Sequence, residues 1–327
     1  MLAKDEMAWL QAAAEKAIWH SHRETKENKN AKRREEYFVA SLVLNGPELI
    51  KENWNPFLKH LGLSVSIAGI FCHGRPQVKW DIGWATGQVE LADLLIVIRT
   101  RRNKTDDWNE RACLIQAKMA DDSGQLDLGN PSQTNNNYKQ LFLYTTWPPF
   151  NFTTPPLDKT IQREFSDKSG GQAGYYSTIS KKLDWPENLV GWIGGCPWAV
   201  PINAHGSKPS QNLAGLMIQM LDGKAGRSLV KADKAKPSTW SGTINEVLDK
   251  LASEKLKAGP YLSSTRVNEV LCYMTNPAPE LFKNVTLLAG GGEDDDGGGD
   301  RAHEISQADT ESGHVPTLLI EVGPAED

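Results

Sequence analysis

The residues whose types and spacing could do chemistry concentrate between Asp93 and Lys118. Asp93 opens the apolar run LLIVI, where a carboxylate is expensive to bury without partners. Twenty-three residues on, the apolar stretch ACLIQAKMA contains Gln116-Ala117-Lys118. Side chains alternate across a strand, so Gln116 and Lys118 project from one face. A lysine and an amide in such a setting need polar partners, and a neighbouring strand presenting Asp93 supplies one. An acid, an amide oxygen and an ammonium group together are what metal-assisted phosphodiester hydrolysis uses. The oxygens hold a divalent cation, and the lysine orients or deprotonates a water and counters charge growing on the phosphate. The spacing alone recurs by chance; having both ends inside apolar strands makes it informative.

With these residues in view, the chain resembles the PD-(D/E)xK nuclease superfamily, the restriction-endonuclease-like fold. The likeness covers about residues 30–150. Asp93 matches the motif's aspartate, and Gln116-Ala117-Lys118 matches its ExK tripeptide in the QxK form of Mrr-type restriction enzymes. A neutral amide brings no charge to the cation, so another acid must compensate. Glu90 lies three residues before Asp93 and needs a bulge or bend to reach the same face. Glu35 and Glu36 begin a helix ahead of the sheet, where members of this fold place an accessory metal-binding glutamate. Glu35 shares a helical face with Phe38, Val39 and Leu42, which turns it towards the core. Gln140 and Tyr144 resemble the QxxxY motif of RecB-type nucleases, and at a spacing of four both occupy one helical face. Gln133 offers an alternative start to that motif.

The resemblance implies a Mg2+- or Mn2+-dependent nuclease, an endonuclease rather than an exonuclease, acting on DNA in restriction or in defence against foreign DNA. Asp93 and Gln116 would bind the metal with Glu35, Glu36 or Glu90, Lys118 would be the catalytic lysine, and Gln140 and Tyr144 would position water or phosphate. Arg99, Arg101, Arg102 and Lys104 follow the Asp93 strand and would neutralise backbone phosphates. The competing expectation is a catalytically inactive nuclease-fold protein that binds nucleic acid or a protein partner. A third is a nuclease awaiting a partner or activating ligand on its C-terminal region, with homo-oligomerisation left open.

The elements that must position these residues can be read from periodicity. Residues 4–19 and the EEYFVASLVL segment after Arg34 read as helices, the second stopped by Asn45-Gly46-Pro47. Strand patterns fall at 61–71, 89–98, 112–120, 173–180, 188–195 and 316–322, and a helix over 133–146 ends at Trp147-Pro148-Pro149. Beyond residue 205, helical stripes run through Leu213–Leu221, Ile244–Leu251 (with Thr243 and Glu246 as a capping box) and Val267–Met274. The expected architecture is α/β, a mixed central sheet flanked by helices. Residues 1–204 form the nuclease-like domain and 205–327 a mainly helical accessory region carrying the acidic Gly/Asp-rich loop 290–300.

Composition bounds the rest. The 327 residues are 39% hydrophobic and 24% charged, with a net charge of −5, which is globular and excludes coating of nucleic acid by bulk charge. No apolar run reaches the roughly 20 residues of a membrane helix, and the N-terminus has no secretion-signal pattern. Four scattered cysteines without CxxC spacing argue against a zinc knuckle and a disulfide framework, so a cytoplasmic location is expected. GxSxG, GxxxxGK and HExxH are absent, and Asp294/Asp296 fail as a calcium loop because Ile305 stands where its last ligand belongs.

Overall fold

The computed structural model describes residues 2–27, 35–72, 76–83, 85–120, 135–165, 172–180, 196–202, 211–253, 256–258, 272–275, 287–288 and 313–325. The expected strand at 188–195, the acidic loop at 290–300, Gln133 and most of the Val267–Met274 stripe lie outside these residues.

Helices α1 (Lys4–Glu27), α2 (Glu35–Leu44) and α3 (Gly46–His60) open the chain. Asn45-Gly46-Pro47 does stop α2, but Pro47 also sits in the first turn of α3, where its missing N–H is one the helix leaves unbonded anyway. The strands β1 (Leu63–Cys72), β2 (Gln77–Asp81), β3 (Thr86–Glu90), β4 (Leu94–Thr100) and β5 (Asn109–Met119) follow, then α4 (Asn136–Thr146), β6 (Asn151–Phe152), β7 (Gly174–Ile179), β8 (Trp198–Ile202) and β9 (Gln211–Asn212). The remainder comprises α5 (Leu213–Leu221), β10 (Arg227–Ser228), α6 (Trp240–Ala252), β11 (Leu256–Ala258), β12 (Cys272–Thr275), β13 (Leu287–Leu288) and β14 (Thr317–Pro324). The N-cap of α6 is Thr239, which accepts from the Gly242 amide; the expected box at Thr243 lies inside the helix. At Cys272–Thr275 a strand stands where the end of a helical stripe was expected.

Eleven strands form one mixed sheet in the order β13-β11-β12-β1-β14-β4-β5-β7-β8-β9, with β10 also on β5; β3-β2-β6 form a separate small sheet. The apolar runs of β4 and β5 are unbroken because both faces of the sheet are covered. Leu94, Ile96 and Ile98 point into a core shared with α1, α2, α3 and α5, whereas Leu95 and Val97 join Leu143, Trp240 and Ile244 of α4 and α6. Each such fully buried side chain contributes about 1.5–3 kcal/mol of transfer free energy. The layers also approach closely. A Cβ on Gly69 of β1 would stand 1.5 Å from the Val43 carbonyl oxygen, so only glycine lets the end of α2 lie on β1.

Two expectations are corrected. β14 pairs antiparallel with β1 over eight residue pairs and parallel with β4 over six, so the last strand lies inside the same sheet as the first. A boundary at residue 204 therefore divides no independent unit, and the region beyond it carries strands as well as helices. Cys72 is disulfide-bonded, although no disulfide was expected. In the backbone register of the antiparallel pair β1–β12, Cys72 stands opposite position 272, two hundred residues away in the chain, a juxtaposition no local spacing records. Cys113 and Cys196 are free and buried. Among the described residues no helix is long and apolar enough to cross a membrane.

Candidate active site

Strand β5 outlasts β4. Leu94 pairs with Ile115, and Gln116–Met119 extend beyond the start of β4 while still pairing with β7 on their other edge. The amides of Ala117 and Met119 thus face an open edge, and a buried amide without an acceptor would be costly. Side-chain carboxylates fill the gap. Asp93 turns back so that its own amide donates to the Ile115 carbonyl at 2.9 Å, and its Oδ2 accepts from the Ala117 amide at 2.7 Å. Two residues along the same edge, the Met119 amide donates to Oε1 of Glu35 at 3.4 Å. Amides two apart on one edge are about 7 Å apart, which brings both carboxylates to neighbouring positions.

The Gln116 amide nitrogen also donates to Asp93 Oδ2. Only an N–H can face a carboxylate there, so Gln116 Oε1 must point away from Asp93. That oxygen is fully buried and has no hydrogen-bond partner among the described residues. Gln116 pairs in register with Tyr176 of β7, and Lys118 with Thr178, so these four side chains share the face covered by α4. Lys118 is half-buried and Thr178 fully buried, with its hydroxyl oxygen unpartnered.

Helix α4 is pinned across this face at both ends. The Tyr176 hydroxyl donates to the Asn137 carbonyl at 2.9 Å, and the Tyr144 hydroxyl donates to the Leu91 carbonyl at 2.7 Å. Gln140 lies between them on the helix, buried, with its own Oε1 unpartnered among the described residues. Burial pushes the Tyr144 phenol well above its ordinary pKa, and the Asp93 charge, Tyr176, Cys113 and the Glu90 charge add to the rise. Tyr176 is raised by burial and then by Asp93. Both phenols therefore remain neutral donors beside an anion. Tyr144 acts as a positioning residue, fixing the backbone two residues before Asp93.

The structure thus brings Asp93, Gln116, Lys118, Gln140 and Tyr144 to the α4 face of the sheet, whereas Glu35 reaches the same strand edge from α2 on the opposite face. Glu36 stands about 100° further round α2 than Glu35. Glu90 ends β3 opposite Gln77, in the small sheet, and acts on Tyr144 by charge. The basic cluster is a correction. β4 runs away from Asp93, so Arg99 lies about 20 Å along the strand from it. Arg99 is buried, ion-paired with Glu321 and with Glu110 at 3.3 Å, and stacked over Trp108. Arg101, Arg102 and Lys104 follow at that same far end. Nearness in sequence to a strand's last residue is distance from its first. Sequence reading missed Tyr176 and Thr178, because their place beside Gln116 and Lys118 is set by a parallel pairing that no local pattern records.

Among the described residues, no three of His, Cys, Asp and Glu gather into a metal-binding group. The strand edge carries two carboxylates on alternate amides, Asp93 and Glu35, and the α4 face beside it carries the amide oxygens of Gln116 and Gln140. Carboxylate and amide oxygens of this kind fit Mg2+, a hard cation that uses one or two carboxylates and retains waters. Compared with family models, curated proteins and solved structures, the chain matches none.

Proposed function

We propose that the protein is a metal-dependent nuclease of the restriction-endonuclease-like type that hydrolyses phosphodiester bonds in DNA, serving restriction or defence in the cytoplasm. The observation that carries this reading is the open edge of β5, where Asp93 and Glu35 take successive amides beside the unpartnered Gln116 oxygen. With the Gln116 amide turned so that Oε1 replaces the N–H beside Asp93, Asp93 and Gln116 would hold Mg2+ or Mn2+, and Glu35 would supply the further acid at the same edge. When bound, the ion polarises the scissile phosphate and acidifies a water. Lys118, on the face of Gln116, orients that water and counters the phosphate's growing charge. The unpartnered oxygens of Gln140 and Thr178 would accept hydrogen bonds from that water or from Lys118. Tyr144 and Tyr176 hold the wall of the site.

Cleavage of linear, supercoiled and single-stranded DNA and of RNA, with Mg2+ and with Mn2+, tests the reading. Metal-dependent cleavage that disappears in a folded Lys118→Ala variant supports it; intact substrates under every condition overturn it. One observation favours a second reading, a nucleic-acid-binding module without catalysis: the Gln116 amide donates to Asp93 Oδ2 and so occupies an oxygen that a metal site would use. Binding of DNA that needs no metal and is unchanged in Lys118→Ala would select that alternative.

A further inference from the structure

A cavity of about 630 Å³ lies at the end of the sheet opposite Asp93. The start of α1, the turn between α3 and β1, the β4–β5 connection and the end of α5 converge there. Its apolar wall is aliphatic: Met7, Leu61, Leu63, Leu221 and Val322. That volume falls within the roughly 300–1,000 Å³ of small-molecule sites, which pair an apolar body with a few polar groups.

The charges around it are unequally engaged. Each lining acid has a donor. Asp106 takes the Asn103 backbone and side-chain amides at 3.1 and 3.0 Å, and Asp222 pairs with Lys224 at 2.6 Å. Asp107 pairs with Lys231 at 3.3 Å, and Glu6 takes the Ala3 amide. The two lining arginines have no carboxylate partner among the described residues. Arg101 lies over Trp108, 4.2 Å from guanidinium carbon to ring centroid, and its Nε is buried without an acceptor. Arg102 is exposed at the rim. A buried N–H left unbonded costs about 1–3 kcal/mol, which an incoming acceptor would recover. Guanidinium groups receive carboxylate or phosphate oxygens in a bidentate fork.

We propose that this cavity binds an amphipathic organic anion, one carboxylate or phosphate head held by Arg101 and Arg102 with an aliphatic body against Met7, Leu63 and Val322. The site is roughly 25 Å from Asp93 in the direction of β4 and stands whether or not the chain is a nuclease.

The test uses the full-length chain, titrated calorimetrically with octanoate, octyl phosphate below its micellar concentration, octanol and inorganic phosphate. Saturation-transfer NMR on the alkyl protons provides a second readout. One-site binding of at least one octyl anion is expected, with octanol and inorganic phosphate at least tenfold weaker; the anion that binds identifies the head group. Arg101→Gln with Arg102→Gln should weaken binding tenfold or more, whereas Lys159→Gln, in an exposed loop elsewhere, should leave it unchanged. Leu61 is 38% exposed, so Leu61→Asp tolerates folding and should also weaken binding by placing a negative charge at the mouth. Absence of saturable binding by both anions, octanol binding equal to theirs, or affinity unchanged in the double arginine variant would overturn the proposal.

Discussion

Replacing Gln116 with Glu separates the two jobs that this side chain performs. In the wild type, Gln116 Nε2 donates to Asp93, while Oε1 is left without a partner. Glu keeps the size but offers oxygen in both directions, and two carboxylates at hydrogen-bond distance cannot both stay ionised, so the pair would retain a proton. The lost charged hydrogen bond is worth about 1.5–3 kcal/mol. A chain of 327 residues unfolds with an entropy of about 0.7 kcal/mol/K, at roughly 2.1 cal/mol/K per residue, so the melting temperature in EDTA should fall by about 2–4 °C. A cation between Asp93 and position 116 reverses the preference, since the new carboxylate adds charge where a neutral oxygen stood. Tenfold tighter Mg2+ binding adds about 1.4 kcal/mol at saturation, close to 2 °C. Thermal melts of both proteins in EDTA and in millimolar Mg2+ should therefore show a gap that narrows by about 2 °C when metal is present. A gap of equal size in both media would refute the assignment of Gln116 as a cation ligand, whatever the cleavage assays show.

Three further outcomes follow from the packing and the titrating groups. Gly69→Ala places a Cβ against the Val43 carbonyl, and overpacking of this kind costs about 1–3 kcal/mol or more. Its denaturation midpoint should fall and, because α2 also carries Glu35, its Mg2+-induced stabilisation should shrink with it; a wild-type midpoint would show that α2 is free to shift. Burial, reinforced by Cys113, pushes the Tyr175 phenol up to about 12 against the lowering effects of the Gly226 amide and Arg111. The unfolded phenol loses its proton near 10, so this contribution is complete below pH 10 and is lost as pH rises towards 12. Tyr175→Phe should give a shallower fall in stability across that window, and an unchanged slope would discount the shift. With Cys72 in a disulfide and Cys113 and Cys196 free but buried, thiol titration should find none of these three reactive in the native protein. It should find two thiols in the denatured unreduced chain and four after reduction; four without reductant would exclude the disulfide.

The parts of the site that were legible in sequence are those fixed by local geometry. Alternation along β5 places Gln116 and Lys118 on one face, and the helical spacing of Glu35 with Phe38 and Leu42 turns that glutamate inward, where it meets the Met119 amide. The burial cost of Asp93 pointed to partners, and they are the Gln116 and Ala117 donors. What stayed hidden was set by long-range pairing. β14 inserts between β1 and β4, Thr178 comes beside Lys118, and Cys72 comes opposite Cys272, each through strand partners that no window of sequence contains. The arginine cluster was misplaced for a different reason, because direction along β4 was not weighed: Asp93 precedes the strand and Arg99 is near its end.

A mismatch of strand lengths makes the site possible. β4 has 7 residues and β5 has 11, and the overhang exposes two amides that a longer β4 would have bonded. Had β4 begun earlier, position 93 would pair along the ladder and its carboxylate would leave the edge. Instead the gap recruits one carboxylate from the turn before β4 and another from α2. Each is held by a backbone amide whose position the sheet fixes, so the acids are placed by the rigid core and not by a flexible loop. The Gln116 donor engages Asp93, while Glu35 takes the Met119 amide at 3.4 Å. A cation bound at this edge would add a bond to these acids, which is why metal-dependent stabilisation, and not cleavage alone, tests the edge directly.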